Sequence, residues 1–160
     1  QGTGSHSYYC HGYGTQSANF GQTTYHWELM PDRLSGATDE EKEAVALFMY
    51  HCGVSVRMSY GWDGSGSQSE YALAALQDHY FFSNEGQYQL ISDVVTTDSL
   101  MYLWENKAKA ELDQHRPLFF SGRSTTAGGH AWIVDGYTTI GNATYFHVNW
   151  GWAATAMVTI

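Results

Sequence analysis

The pattern of apolar and polar positions divides the chain into an irregular first part, a middle with helical periods and a last part with strand alternation. Residues 1–36 interleave Gly, Ser, Thr and His with Tyr8, Tyr9, Tyr13, Phe20, Tyr25 and Trp27 and show no helical repeat. That mixture predicts loops and short strands. Thr38-Asp-Glu-Glu41 then reads as a capping box with acids in the first turn, satisfying free N–H groups and the helix dipole together. Ala44, Val45, Leu47, Phe48 and His51 continue the helix, and Gly53 is placed as its stop. Val54–Tyr60 alternates like a half-buried strand. A Gly/Ser-rich loop follows, in which Ser67 or Ser69 is placed to cap a short helix carrying Tyr71, Leu73, Leu76 and Tyr80. Leu90–Val95 has strand composition, and Thr97-Asp-Ser opens a helix with Leu100, Leu103, Trp104 and Ala108. Leu118–Ser121, His130–Tyr137 and Thr144–Trp150 read as strands between Gly-rich turns. Helices followed by a sheet, with no repeat and no linker, predict an α+β fold.

Composition narrows the function classes. The 160 residues suit one domain. Lys and Arg number 7 against 16 Asp and Glu, a formal net charge of −9, which excludes a basic nucleic-acid footprint. Aromatic residues make up 16% of the chain, a load foreign to disordered sequences. No apolar run approaches the roughly 18 residues of a membrane helix, and no signal peptide is visible. Secretion with a removed leader is compatible with this. Two cysteines do not make a disulfide framework.

The most informative stretch is Gly128-Gly-His-Ala-Trp-Ile-Val-Asp-Gly136 followed by Phe146-His-Val-Asn-Trp-Gly-Trp152. A histidine leaving a Gly-Gly pair into an apolar strand is held rigidly while its backbone surroundings stay open. If Thr138–Gly141 is a four-residue hairpin loop, Trp132 pairs with His147 and His130 with Asn149. Paired residues share a face, so Asn149 would orient the His130 imidazole, as the third member of a Cys-His-Asn set does. A one-residue slip breaks this pairing, and an ordinary strand histidine is the competing reading.

These two motifs resemble the streptopain family of bacterial papain-like cysteine peptidases. The resemblance extends through Tyr25-His-Trp-Glu-Leu-Met-Pro31, Gly53-Val-Ser-Val-Arg-Met-Ser-Tyr-Gly61 and the Ser65-Gly-Ser67 loop, in family order from Gln1 to Trp152. It implies a papain-like fold, helices packed on an antiparallel sheet, with residues 1–160 as a single catalytic domain, incomplete relative to the family. It implies His130 as the catalytic histidine, with Asn149 or the tryptophans Trp150 and Trp152 orienting it, and Trp152 as an aromatic roof. Ser65, Ser67, Gly129 and Trp150 would line the substrate cleft. Protein or peptide substrates, a pro-segment or proteinaceous inhibitor as partner, secretion as a zymogen, and no metal or organic cofactor complete the expectation. A nucleic acid or membrane partner is not expected.

One departure stands out. A reactive thiolate needs a depressed pKa, typically at a helix N-terminus. Cys52 lies in the last turn of the first helix, where the dipole disfavours a thiolate, and Cys10 precedes His-Gly-Tyr-Gly with no helix to help it. Residues 153–160, Ala-Ala-Thr-Ala-Met-Val-Thr-Ile, resemble the small-residue helix that follows the catalytic cysteine in the family, but out of family order. The nucleophile is then expected immediately before Ala153, where Trp152 stands. Segments joined out of gene order, a permuted or truncated chain, and a chance match of an apolar octamer all account for this.

Other candidates are weaker. His6, Cys10 and His11 lack a second ligand pair and read as a loop cluster rather than a metal site. The acids at 39–43 read as a helix start, not as paired catalytic carboxylates. Asn142-Ala-Thr144 is a glycosylation sequon that equally suits a hairpin loop. The rival class is an inactive or engineered homologue that keeps the cleft, lacks the thiol and acts as a peptide-binding module.

Overall fold

A computed structural model describes residues 1–126, 128–151 and 155–158. The elements run β1 (Ser5–Cys10), β2 (Gly14–Asn19), α1 (Asp39–Ser55), α2 (Ser69–His79), a single turn α3 (Ile91–Val94), α4 (Asp98–Asp113), β3 (Leu118–Ser124), β4 (Gly128–Ile140), β5 (Ala143–Asn149) and β6 (Thr155–Val158). The architecture is α+β, with a β1-β2 hairpin and an antiparallel sheet in the order β3-β4-β5-β6. The chain forms two compact units, Gln1–Tyr88 and Gln89–Ile160. No described helix is long and apolar enough to cross a membrane.

In the first unit α1 starts where the sequence predicts. The Thr38 hydroxyl accepts from Glu41 N, and the Glu41 carboxylate accepts from Thr38 N at 2.7 Å. Its end differs from expectation. Gly53 does not stop the helix, which runs on to Ser55, and the predicted strand over 54–60 is reduced to one bridge, Ser59 with Gly66. The reason is packing. A Cβ on Gly53 would lie 2.1 Å from the Tyr60 hydroxyl, so this glycine serves a close approach rather than a turn. Helix α1 is closed instead by Arg57 at φ 54°, whose N–H donates to the Val54 carbonyl. Helix α2 begins after Gln68 with no side-chain cap, so neither Ser67 nor Ser69 caps it. Ala18, Phe20 and fully buried Val54 form the core, with Tyr8 and Tyr80 packed on it. His51 is buried beside them, its Nδ1 2.9 Å from the Tyr25 hydroxyl.

In the second unit the Thr97 hydroxyl caps α4 as predicted, accepting from Leu100 N. The segment 90–95 contains the helical turn α3 where a strand was expected. Residues 155–158 form strand β6 on β5, not the helix expected for 153–160. An octamer that includes Thr, Met and Val suits a sheet edge whose backbone groups need partners. The core joins Ala108 and Leu112 of α4 to Val134, Phe146 and Val148 of the sheet. Alternation in β5 is regular, with Thr144, Phe146 and Val148 buried. The Thr144 hydroxyl donates to Glu105 on α4, which Lys109 holds at 2.6 Å.

Protonation of the buried histidine gives a test. Burial holds the His51 imidazole below its ordinary value. As the pH falls through about 6.5, the unfolded chain takes up a proton that the folded one refuses, so stability is present above that pH and is lost below it. The melting temperature therefore falls between pH 7.5 and 5. His51→Gln, which keeps a hydrogen-bonding partner beside Tyr25, flattens part of that fall in a pH series of thermal unfolding. Equal slopes in the two proteins would refute the assignment.

Candidate active site

His130 is placed by the sheet. On β4, residues 130, 132 and 134 share one face, and the register opposes Gly122 to His130, Phe120 to Trp132 and Leu118 to Val134 across β3. Trp104 of α4 meets Phe120 edge-on at 5.4 Å, Phe120 lies parallel to Trp132 at 6.1 Å, and Trp132 lies parallel to the imidazole of His130 at 6.4 Å. Trp150 closes the group, 5.3 Å from Trp132 and 6.0 Å from His130. The imidazole thus stands at the end of a continuous aromatic row rooted in the core. Such rings carry orientation as well as buried area.

The register of β4 and β5 differs from the expected one. The hairpin turns through Gly141–Asn142, with Ile140 paired to Ala143, and not through a four-residue loop at Thr138–Gly141. Gly141 at φ 62° takes the first central position of a tight two-residue turn. A bulge at Asp135, between Val134 and Gly136, then shifts the ladder by one residue. Asn149 consequently pairs with Ile133, on the face opposite to His130. Its Oδ1 accepts the Gly151 N–H at 2.9 Å, closing the turn after β5. Asn149 is not brought to the imidazole.

A different group orients the ring. His130 Nε2 lies 2.9 Å from the Trp150 carbonyl oxygen. A carbonyl only accepts, so Nε2 carries the proton and Nδ1 holds the lone pair of the neutral imidazole. The sequence points to the Trp150 side chain as an orienter, not to its carbonyl. Backbone acceptors leave no signature in residue identity, and only the true register reveals this one. Trp152 and Ala153 lie outside the described residues. Gly129 is exposed beside His130, opposite Arg123.

The bulge also forms a second pair. Asp135 and His147 meet Oδ1 to Nδ1 at 2.5 Å, half-exposed, in a sheet whose other face carries His130.

Ser65 and Ser67 belong to the first unit, where both hydroxyls shape their own loop. Ser65 Oγ accepts the Gly61 N–H at 3.3 Å, and Ser67 Oγ donates to the Val56 carbonyl. With the Ser59–Gly66 bridge these bonds fold the loop back on residues 56–59.

Neither cysteine has a nucleophile's surroundings. Burial pushes the Cys52 thiol up, and the Tyr80 hydroxyl points at its sulfur from 3.9 Å. Cys10 is buried, and its sulfur accepts the Tyr60 N–H at 3.4 Å. His6, Cys10 and His11 do not gather around a point. His6 stacks on Tyr8, whereas His11 lies in the exposed β1–β2 turn.

The aromatic row predicts opposite outcomes for two neighbouring glycines. A Cβ on Gly122 would lie 2.9 Å from Cη2 of Trp132, an indole held between Phe120 and Trp150, whereas at Gly129 the nearest atom is 3.8 Å away. Gly122→Ala is expected to cost about 1–3 kcal/mol by overpacking, and Gly129→Ala well under half of that, both read by thermal or denaturant unfolding. Equal losses would mean that the indole yields.

Comparison with known proteins bears on the fold and the family. A fragment of prointerpain A from Prevotella intermedia carrying a cysteine-to-alanine substitution superposes with a TM-score of 0.82 at 34% identity, over 100% of this chain and 50% of that one. The fold is therefore the papain-like one of that protease. Thiol protease/hemagglutinin PrtT of Porphyromonas gingivalis is 32% identical over 151 residues, covering 94% of this chain and 15% of that protein. Streptopain of Streptococcus pyogenes is 29% identical over 129 residues, covering 80% and 30%. The chain thus spans less than a third of the length of these two relatives. The model of the Peptidase C10 family matches residues 1–156, and the chain belongs to that family.

Proposed function

We propose that residues 1–160 belong to one catalytic domain of a secreted cysteine endopeptidase, in which His130 is the base and acid of peptide-bond hydrolysis. The observation that carries this is the imidazole held by the Trp150 carbonyl with its lone pair on Nδ1, in a chain of a thiol-protease family. In the proposed reaction the thiol expected immediately before Ala153, where this sequence has Trp152, gives its proton to Nδ1, and the thiolate sulfur bonds to the scissile carbonyl carbon. The carbon–nitrogen bond then breaks as the imidazolium returns the proton to the departing amine. Water, deprotonated by the same imidazole, hydrolyses the thioester. Trp150 positions the ring through its carbonyl and walls it with its indole, Gly129 leaves the backbone beside it accessible, and Ser65 and Ser67 are added as substrate contacts through the family resemblance. Trp152 belongs to this set through the family resemblance alone. Asn149 is left out because its side chain is bonded on the opposite face. Peptides with a hydrophobic residue next to the scissile bond are the proposed substrates, and the pro-form named for interpain supports a zymogen with a pro-segment as partner.

A second reading has its own observation. Both cysteines of the chain are engaged in packing and hydrogen bonds remote from thiolate chemistry. On that ground the chain as it stands is an inactive homologue that binds peptides without cleaving them.

Position 152 separates the two. Trp152→Cys is expected to create a thiol that an epoxide inhibitor alkylates ahead of Cys10 and Cys52, by mass spectrometry of the digested protein, and to hydrolyse a peptide library. Adding His130→Ala should lower turnover by at least about 100-fold, the usual scale of lost acid–base catalysis. Turnover that survives His130→Ala overturns the proposed role. Peptide binding without turnover in every variant supports the inactive reading, and a library preference for charged residues at the scissile bond overturns the hydrophobic assignment.

A further inference from the structure

Outside the His130 region, the first unit presents one cationic side chain in an unusual setting. Arg57 follows α1 with φ 54°, a backbone region where glycine or asparagine is accommodated at lower cost than a long side chain. Strain of this kind persists where the surroundings over-determine it, and it clusters at binding sites. The segment is clamped on both sides, by the bond from Ser67 to Val56 and by the Ser59–Gly66 bridge. The guanidinium lies over the Tyr71 ring, 5.6 Å from its centre.

Among the described residues no carboxylate lies within ion-pairing distance of Arg57, although the chain carries 16 acids. Lys42, Lys109 and Arg116 each hold one, whereas Arg33, Lys107 and Arg123 share Arg57's lack of one; of these four, Arg57 alone among the described residues lies over an aromatic ring. The charge is nevertheless felt nearby. His6 is kept below its ordinary value by burial first, then by Arg57 and His79, and its Nε2 is buried without a hydrogen-bond partner.

Arg57 and Tyr71 form the common wall of two hollows. The smaller, about 130 Å³, also contains Asp78 together with His6 and His79. The larger is an open groove of about 530 Å³ bounded by Tyr8, His11, Ser59 and neighbours, with no acidic side chain in its wall. A carboxylate entering the smaller hollow meets Asp78. In the larger the polar groups it meets are the guanidinium, hydroxyls, an imidazole and the Cys10 sulfur.

We propose that the groove between β1 and the Arg57 segment is a binding site for a peptide carboxylate, held by the Arg57 guanidinium against Tyr71 with Ser59 and His11 at its rim. The planar fork of an arginine matches a carboxylate with two parallel N–H···O bonds. The ligand class is an acidic side chain of a bound polypeptide. The site lies wholly within Gln1–Tyr88 and does not rest on the peptidase reading, so its failure and the failure of that reading are distinguishable.

The test titrates the intact chain with an N-acetylated, C-amidated Asp-Glu-Asp tripeptide and follows the Arg57 Nε–H and the Tyr71 ring by NMR. Saturable shifts are expected at both. The Asn-Gln-Asn isostere and acetate should each bind at least tenfold more weakly. Arg57→Asn suits the left-handed backbone, so its melting temperature should be unchanged or higher while affinity drops at least tenfold. Binding by Arg57→Asn within twofold of the parent, or equal binding of the amide isostere, overturns the site. Acetate binding as tightly as the tripeptide keeps the carboxylate and overturns the peptide, and inorganic phosphate competing better than acetate overturns the carboxylate.

Discussion

The bond from His130 Nε2 to the Trp150 carbonyl is the contact that fixes the imidazole in the second unit, and the strand pairing and aromatic row of that unit place its two ends. One end is on β4, the other just beyond β5, so the distance between them is set by the pairing of those strands. The aromatic row from Trp104 through Phe120 and Trp132 supports both ends from below. A side-chain orienter adds its own rotamers to the problem. A carbonyl of the sheet's own continuation adds none, so the one side-chain rotamer involved is that of His130 itself.

The bulge at Asp135 shows how much hangs on register. Below it, Gly136 opposes His147; above it, Ile133 opposes Asn149. The extra residue lets two successive stretches of β4 both present apolar residues to α4 while the strand bends. It also decides which residues follow β5 at the level of His130. With the four-residue loop at Thr138–Gly141 the same sequence would have put Asn149 there. Alternation along β5 is compatible with several loop lengths, because the apolar set repeats every two residues. The turn chemistry of Gly141-Asn142 was the available signal for the shorter loop.

Local signals were legible where a physical requirement has one solution in residue types. Thr38 with Glu41, and Thr97, mark helix starts because few side chains satisfy those N–H groups. Gly53 misled because glycine answers two requirements, a stop and a close approach, and here Tyr60 demanded the second. Residues 90–95 read as a strand because short apolar runs suit either helix or strand and the neighbours choose, whereas the helix expected for 153–160 comes from the family resemblance, and residues 155–158 pair with β5 instead. The Gly-Gly-His motif singles out His130, whereas the Trp150 carbonyl that holds its ring has no signature in the sequence, since any residue supplies a carbonyl.

The same reasoning separates the roles of glycine and arginine at left-handed positions. At Gly141 the positive φ closes a turn, and the residue does only that. At Arg57 the chain adopts a similar backbone, and the side chain carries a charge that no acid of the described structure answers. Helix termination needs the backbone geometry but not the guanidinium. The guanidinium stacked on Tyr71, beside a groove free of acids in an acidic protein, therefore calls for an explanation outside the fold's own stability, and a carboxylate from a bound polypeptide supplies one.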